Sequence, residues 1–282
     1  MLNQRVFTAV ILLASALGML LWLPTPWLSI PVGVVVLLAA REWGQMMGCQ
    51  GARRWRFVLL IVALSTLVWA DHLRWIDVTP SGHRLQGVFL VSALFWLTLT
   101  PIHLLLLRFP LRRVIGFFYG ALLIIPGALA LLWIHALSVP MLLSVLGIAW
   151  VSDTAAYFAG RTWGRHKLAP NISPGKSWEG VIAGALAVCA YAAFLAHEVT
   201  VISQLCAQVG WTLYLLGALL LALIGVVGDL LESLVKRIAG VKDSGTLLPG
   251  HGGVLDRIDS LTAILPIAAL MLSWVSPAWV AH

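Results

Sequence analysis

The chain reads as an all-α membrane protein, a polytopic bundle of about nine transmembrane helices, and three observations carry that reading. Of its 282 residues, 61% are hydrophobic and only 10% are charged, where soluble domains hold roughly 45–50% apolar residues. The apolar residues fall in runs close to the ~20 residues that cross a bilayer as a helix. The connections between runs alternate between strongly basic and nearly neutral, which is how polytopic chains mark their two sides.

Residues 6–23, behind the single Arg5, form the first run and read as a retained helix, because no clear small-x-small cleavage site follows. Pro24 and Pro26 make a tight outer connection, since each removes an amide donor and resists helix continuation. Residues 27–40 return inward, extended by Arg41, Glu42 and Trp43; the loop 44–56 then carries Arg53, Arg54 and Arg56 and marks the cytoplasmic side. A third span, 57–70, leads to an outer loop, 71–84, in which Asp71, His72, Arg74, Asp77, His83 and Arg84 nearly balance. The fourth, 86–107, holds Pro101 as a tolerated kink and ends at Arg108, Arg112 and Arg113, inside again. Spans five and six, 114–137 and 139–160, are separated at Ser138. Beyond Arg161, Arg165 and Lys167, the segment Ser173-Pro174-Gly175-Lys176-Ser177-Trp178-Glu179-Gly180 opens span seven, with Ser173 near the N-cap and Pro174 at the first helical position. That span runs to about residue 196, and an external loop, 197–210, holds no Lys or Arg. Spans eight and nine are 211–227 and 261–274. In this layout each of the 18 Lys and Arg residues except Arg74 and Arg84 lies at an inner end or loop, which puts the N-terminus in the cytoplasm and the C-terminus outside.

The net charge of +7 would point to nucleic acid in a soluble chain. Sorted to one side of a membrane it reports orientation, and nucleic acid is not an expected partner. Cys49, Cys189 and Cys206 lie far apart with no C-x-x-C, so neither a zinc site nor a disulfide framework is indicated. The 11 acidic residues are uneven: Asp153, Glu179, Asp229, Glu232, Asp243, Asp256 and Asp259 all follow residue 150 at inner positions, whereas Glu42, Asp71 and Asp77 are early and Glu198 is external. Residues 1–137 therefore read as N-terminal transmembrane helices, and 138–282 as the region bearing a cytoplasm-facing site.

The densest charge lies between Ser233 and Asp259, in the order Ser233-x-x-Lys236-Arg237, Lys242-Asp243, Pro249-Gly250-His251-Gly252-Gly253, Asp256-Arg257-x-Asp259. Carboxylates three apart share a helix face, so Asp256 and Asp259, joined by Asp229 from the preceding helix, are candidate ligands for a divalent cation such as Mg²⁺. Amides of the Gly252-Gly253 turn, with Lys236, Arg237, Lys242 and Arg257 beside them, suit phosphate oxygens. Each feature has a plainer reading. Asp153 and Asp229, which cost about 2.5–3.5 kcal/mol at a helix centre when alone, are satisfied by an ion pair or a cap as well as by a cation, and the basic residues also serve as headgroup anchors. His251 is equally a general base or a hydrogen-bonding strut.

This stretch resembles the signature of the CDP-diacylglycerol synthases, the phosphatidate cytidylyltransferases: Ser-x-apolar-Lys-Arg, four residues, Lys-Asp, then His-Gly-Gly-apolar-x-Asp-Arg-apolar-Asp, with every fixed position met between Ser233 and Asp259. The segment 173–180 resembles the family's second motif, Ser-Pro-x-Lys-Ser/Thr-x-Glu-Gly, with Gly175 where Lys is frequent; it is not a Walker P-loop, whose spacing is absent. The resemblance covers about residues 149–259. It implies transfer of the CMP moiety of CTP to phosphatidic acid with Mg²⁺ as cofactor, in the inner (cytoplasmic) membrane among membrane lipids, and phospholipid biosynthesis as the setting. It further implies Ser173, Lys176, Ser177, Glu179, Ser233, Gly252 and Gly253 as substrate contacts, Lys236, Arg237, Lys242, Asp243, His251 and Arg257 as reacting-site residues, and Asp229, Asp256 and Asp259 at the metal. Length and span number permit a homodimer. Two other readings stay open on the residues alone: another CTP-dependent lipid phosphotransferase, and a secondary transporter built around intramembrane Asp153 and Asp229.

Overall fold

The computed structural model describes residues 2–73, 83–110, 113–247 and 252–275. Among these the chain is almost wholly helical: α1 Leu2–Trp22, α2 Thr25–Met46, α3 Gly51–Leu73, α4 His83–Leu94, α5 Thr100–Leu106, α6 Arg113–Leu137, α7 Val139–Trp163, α8 Trp178–Glu198, α9 Thr200–Val209, α10 Trp211–Ile238 and α11 Leu255–Ser273. A π-helical turn, Phe95–Leu99, joins α4 to α5. Pro101 has no N–H to offer and its ring crowds the preceding turn. The ladder shifts register there, and the Thr100 amide and hydroxyl both donate to the Phe95 carbonyl.

Among the described residues, six helices are long and apolar enough to cross a membrane: Thr25–Met46, Leu85–Leu106, Val114–Leu137, Val139–Trp163, Trp178–Glu198 and Trp211–Ile238. The chain is thus an all-α polytopic membrane protein. Helices α1, α3 and α11 lie where the other three spans were expected but are not among the six; α3 opens on Arg53, Arg54 and Arg56, and α11 on Asp256, Arg257 and Asp259.

Several expected boundaries need correction. The basic loop 44–56 is mostly helix: α2 continues to Met46 and α3 begins at Gly51, so the three arginines sit in the first turns of α3. The expected outer loop 197–210 contains α9, which buries Ile202, Leu205 and Cys206 while Ser203, Gln204 and Gln208 face outward. That i, i+3, i+4 spacing makes a surface-lying amphipathic helix too short to span. Span seven does not begin at Ser173. Residues Ser173–Ser177 form a strand, β2, antiparallel to β1 Lys167–Ala169. The helix is capped by Ser177, whose Oγ accepts from the Gly180 amide at 3.2 Å. Pro174, lacking a donor, is tolerated in a two-stranded ladder with open edges. The bundle is otherwise all-α as expected, with this hairpin as an addition. Ser138 does separate α6 from α7, accepting from the Met141 amide.

Lipid chains are as apolar as leucine, so helices in a membrane associate by close packing at small residues. The α10–α11 seam follows this rule. A Cβ on Gly225 would lie 2.8 Å from Ile264 Cδ1, and one on Gly228 would lie 2.8 Å from the Asp259 carbonyl oxygen and 3.3 Å from Ser260 Cα. Backbone cannot yield as a flexible side chain does. Gly228→Ala is therefore expected to cost about 1–3 kcal/mol, seen as a lower unfolding midpoint of the purified protein. An unchanged midpoint would show that the two helices part freely.

At the end of α2, Trp43 is 1% exposed, donates its indole N–H to the Gly116 carbonyl at 2.9 Å and packs where Gly120 lacks a side chain. This pins α2 to α6. An apolar cavity of about 430 Å³ lies between α7, α8, α9, α10 and α11, toward the α9 end. The polar residues gather at the opposite end of the same helices.

Candidate active site

Helix α10 has 28 residues, about 42 Å at 1.5 Å per residue, against roughly 30 Å of bilayer hydrocarbon. Residues 211–228 carry no charge, so the surplus falls at the other end, where α10 presents Asp229, Glu232, Ser233, Lys236 and Arg237. The start of α11, the strand β2 and the end of α7 meet it there.

Two charge groups result. In the first, Lys176 Nζ from β2 lies 2.6 Å from Asp229 Oδ2, Ser233 donates to Asp229 Oδ1, and Asp153 of α7 and Asp259 of α11 lie within electrostatic reach of both. In the second, Lys236 Nζ bridges Glu232 Oε2 at 2.9 Å and Asp256 Oδ1 at 2.6 Å. Asp256 Oδ2 is occupied as well, accepting from the Ser244 amide (2.9 Å), the Ser244 hydroxyl (3.0 Å) and the Gly253 amide (2.8 Å). Burial alone would lift the Asp256 carboxyl, but Lys236 and the two loop amides outweigh it and hold it below the usual carboxylate range.

The glycines of the loop make this possible. Gly252 has φ +83°, a left-handed conformation that favours glycine, and a Cβ there would stand 2.7 Å from Asp256 Oδ2. The amides of the Gly252-Gly253 turn were expected to receive phosphate. The Gly253 amide instead donates to Asp256, and those of Val254 and Leu255, next along the chain, donate to Glu42. A buried N–H takes the nearest strong acceptor, and two carboxylates are nearer than solvent.

The remaining expected residues fall as follows. Arg237, Lys242, Asp243 and Arg257 are exposed around the cluster, with Arg237 Nε donating to the Ile172 carbonyl. Ser177 is 3% exposed and engaged as a helix cap between Gly160, Gly164 and Gly180, so it is turned from the cluster. Glu179 faces the hairpin, accepting from the His166 amide and lying 2.7 Å from its Nδ1. Ser173 is partly buried on β2, and His251 lies outside the described residues.

The expected cage of Asp229, Asp256 and Asp259 does not converge: among the described residues no three His, Cys, Asp or Glu side chains are grouped to hold one metal ion. Lys236 and the loop donors take Asp256, while Lys176 takes Asp229. The donor set still fits a hard dication. It is carboxylate oxygen throughout, and Glu232 Oε1 is buried with no hydrogen-bond partner among the described residues. Mg²⁺ seldom has an all-protein cage and is ordinarily held by one or two carboxylates with substrate phosphates.

Sequence reasoning passed over Glu42. It lies in the N-terminal half, far from every motif, yet it is 2% exposed and accepts from the Ser244 hydroxyl, the Val254 amide and the Leu255 amide, each at 2.9 Å. The available signal was an acidic residue between apolar stretches, since a lone carboxylate there implies partners.

Apolar helices, with carboxylates paired to lysines gathered at one end of their bundle, make this a helical integral membrane protein. The chain belongs to the cytidylyltransferase family, whose model matches residues 3–275. It is 37% identical over 291 residues to a phosphatidate cytidylyltransferase of Pseudomonas aeruginosa, covering 98% of this chain and 100% of the relative. Identity is 34% over 282 residues to one of Haemophilus influenzae, covering 94% and 96%. Over 119 residues, 42% of each chain, it reaches 51% to one of Brucella suis.

Proposed function

We propose that the protein transfers the cytidylyl group of CTP to phosphatidic acid, giving CDP-diacylglycerol and pyrophosphate in phospholipid synthesis. The observation that carries this is full-length similarity to phosphatidate cytidylyltransferases in a chain whose charged residues meet at one end of an apolar bundle. A phosphate oxygen of phosphatidic acid attacks the α-phosphorus of CTP. The new P–O–P bond forms as the bond from that phosphorus to the bridging oxygen of the leaving pyrophosphate breaks. The lipid phosphate is already anionic, so the chain need supply little base. Its work is orientation and charge compensation.

In this reading Arg237, Lys242 and Arg257, exposed at the rim, meet the triphosphate, while Lys176 and Lys236 fix the carboxylates from within. Ser173, Ser233 and the Gly252-Gly253 turn shape the floor, Asp243 lies on the loop beside it, and His251 completes the set of reacting residues. One or two of the carboxylates of Asp229, Asp256 and Asp259, together with substrate phosphates, would hold Mg²⁺. Bound there, the ion would offset charge on the phosphate oxygens. Residues 1–137 act as scaffold and 138–282 carry the reacting groups. Nine spans, with α1, α3 and α11 added to the six, set the site at the cytoplasmic face of the inner membrane, open to CTP from one side and to lipid from the other. A homodimer is compatible with this arrangement.

The test is pyrophosphate release from CTP by the reconstituted protein. Release is expected only with phosphatidic acid, and chelation of Mg²⁺ is expected to bring it to background. Equal release with a lipid alcohol would redirect the assignment to another lipid acceptor, and no release with any lipid would remove it.

A further inference from the structure

We propose that Glu42 is a positioning residue for this reaction: from the end of α2 it clamps both ends of the loop between α10 and α11 and so aims Asp256. The inference deepens the proposed cytidylyl transfer and rests on it. Its geometric half stands alone.

Glu42 grips the loop from both sides. Oε2 accepts from the hydroxyl of Ser244, near the loop's beginning, and from the amide of Leu255, at its end; Oε1 accepts from the amide of Val254. Helix α11 has no side-chain cap of its own, since Val254 at the cap position offers none. The cap comes in two halves instead. Asp256 reaches back to the Gly253 amide, as the acidic residue of a capping box does, and Glu42, more than 200 residues earlier, takes the next two amides. The two carboxylates are coupled through Ser244, whose hydroxyl lies 2.9 Å from Glu42 Oε2 and 3.0 Å from Asp256 Oδ2. A hydroxyl has one proton to donate.

The setting is built for a carboxylate at this point. A Cβ on Gly245 would stand 2.5 Å from Oε1, and one on Gly253 would stand 2.6 Å from Oε2 and strike Ser244 Oγ. Trp43, fixed to α6 through Gly116, holds the neighbouring residue still. None of the ion pairs among the described residues includes Glu42. Its buried oxygens are satisfied by hydrogen-bond donors of the loop alone, and a neutral cap would have served a helix end as well. Two of the contacts that orient Asp256, those from the Ser244 and Gly253 amides, come from residues Glu42 binds directly or packs against.

The test uses the full-length protein in detergent micelles. Glu42→Gln turns one acceptor oxygen into an amide NH₂ group, a donor that confronts existing donors. It is expected to lower kcat by about 10–100-fold, the loss that accompanies a hydrogen bond to a charged group, while KM for phosphatidic acid stays within about threefold. Hydrogen exchange at Val254 and Leu255 should quicken while the interior of α6 keeps its protection. Ser244→Ala should lower kcat in the same way, and the double variant should lose less than the product of the two. A kcat within twofold of wild type, or independent effects in the double variant, would overturn the positioning role. Rapid exchange of the Val254 and Leu255 amides in the wild-type protein would overturn the clamp, and this decides the matter even if Glu42→Gln fails to fold. Wild-type protein inactive on CTP and phosphatidic acid would refute the proposed reaction, and with it the kinetic role, but not the clamp.

Discussion

Asp256→Asn is expected to remove CTP-dependent lipid cytidylylation while the protein still inserts and accumulates. The substitution keeps the side chain's shape, and the retained oxygen can still accept from Gly253 and Ser244. What it loses is the anion 2.6 Å from Lys236. Electrostatic groups set around a developing phosphate charge contribute about 10²–10³-fold each when deleted singly, so a fall of at least that order is expected in kcat. Pyrophosphate release at saturating CTP measures it. Turnover near wild type would take Asp256 out of the reacting site, and its place in the loop would then be structural only.

Lys236→Met carries the second large effect, this time on folding as well. Lys236 is the only cation within ion-pair distance of Glu232 and Asp256 among the described residues. Methionine matches much of its length but leaves the buried Glu232 and the mostly buried Asp256 carboxylates facing each other, beside a Glu232 oxygen that already lacks a partner among the described residues. Removing one member of a buried charge network costs about 3–5 kcal/mol, because the remaining charges stay desolvated. The unfolding midpoint should fall clearly, and activity with it. The double variant Lys236→Met/Glu232→Gln should recover part of the stability by removing one stranded charge. If the double variant were no more stable than the single one, like-charge repulsion would not be the cause of the loss.

The membrane class and the helical runs were legible because bilayer crossing is a demand on composition and run length, and local sequence states both. Short features were not. The helix α9 has too few residues to register as a span, and the hairpin at 167–177 sits in a segment whose Ser-Pro pair imitates a helix start. Within the candidate site, Asp229, Lys236 and Asp256 were picked out because charge beside apolar helix is costly enough to require a partner, and Gly253 because a Gly-rich turn offers free amides. Which partner each one takes was not legible. Three carboxylates on one ion and two separate lysine-paired groups draw on the same residues at the same spacing. Glu42 was missed for a related reason: its three donors lie more than 200 residues away, and a single chain shows no trace of so distant a contact.

Read along the chain, the residues show that this protein lives in a membrane, that the candidates for its chemistry lie in two segments after residue 150, and what chemistry those residue types suit. How the carboxylates are shared out between Lys176 and Lys236, and that an early helix holds the loop in place, emerge from the packing of distant helices. The reason is physical. Hydrophobic run length and charge are properties of neighbours along the chain, whereas a hydrogen bond is decided within about 3 Å, and packing alone brings α2, α10 and α11 that close.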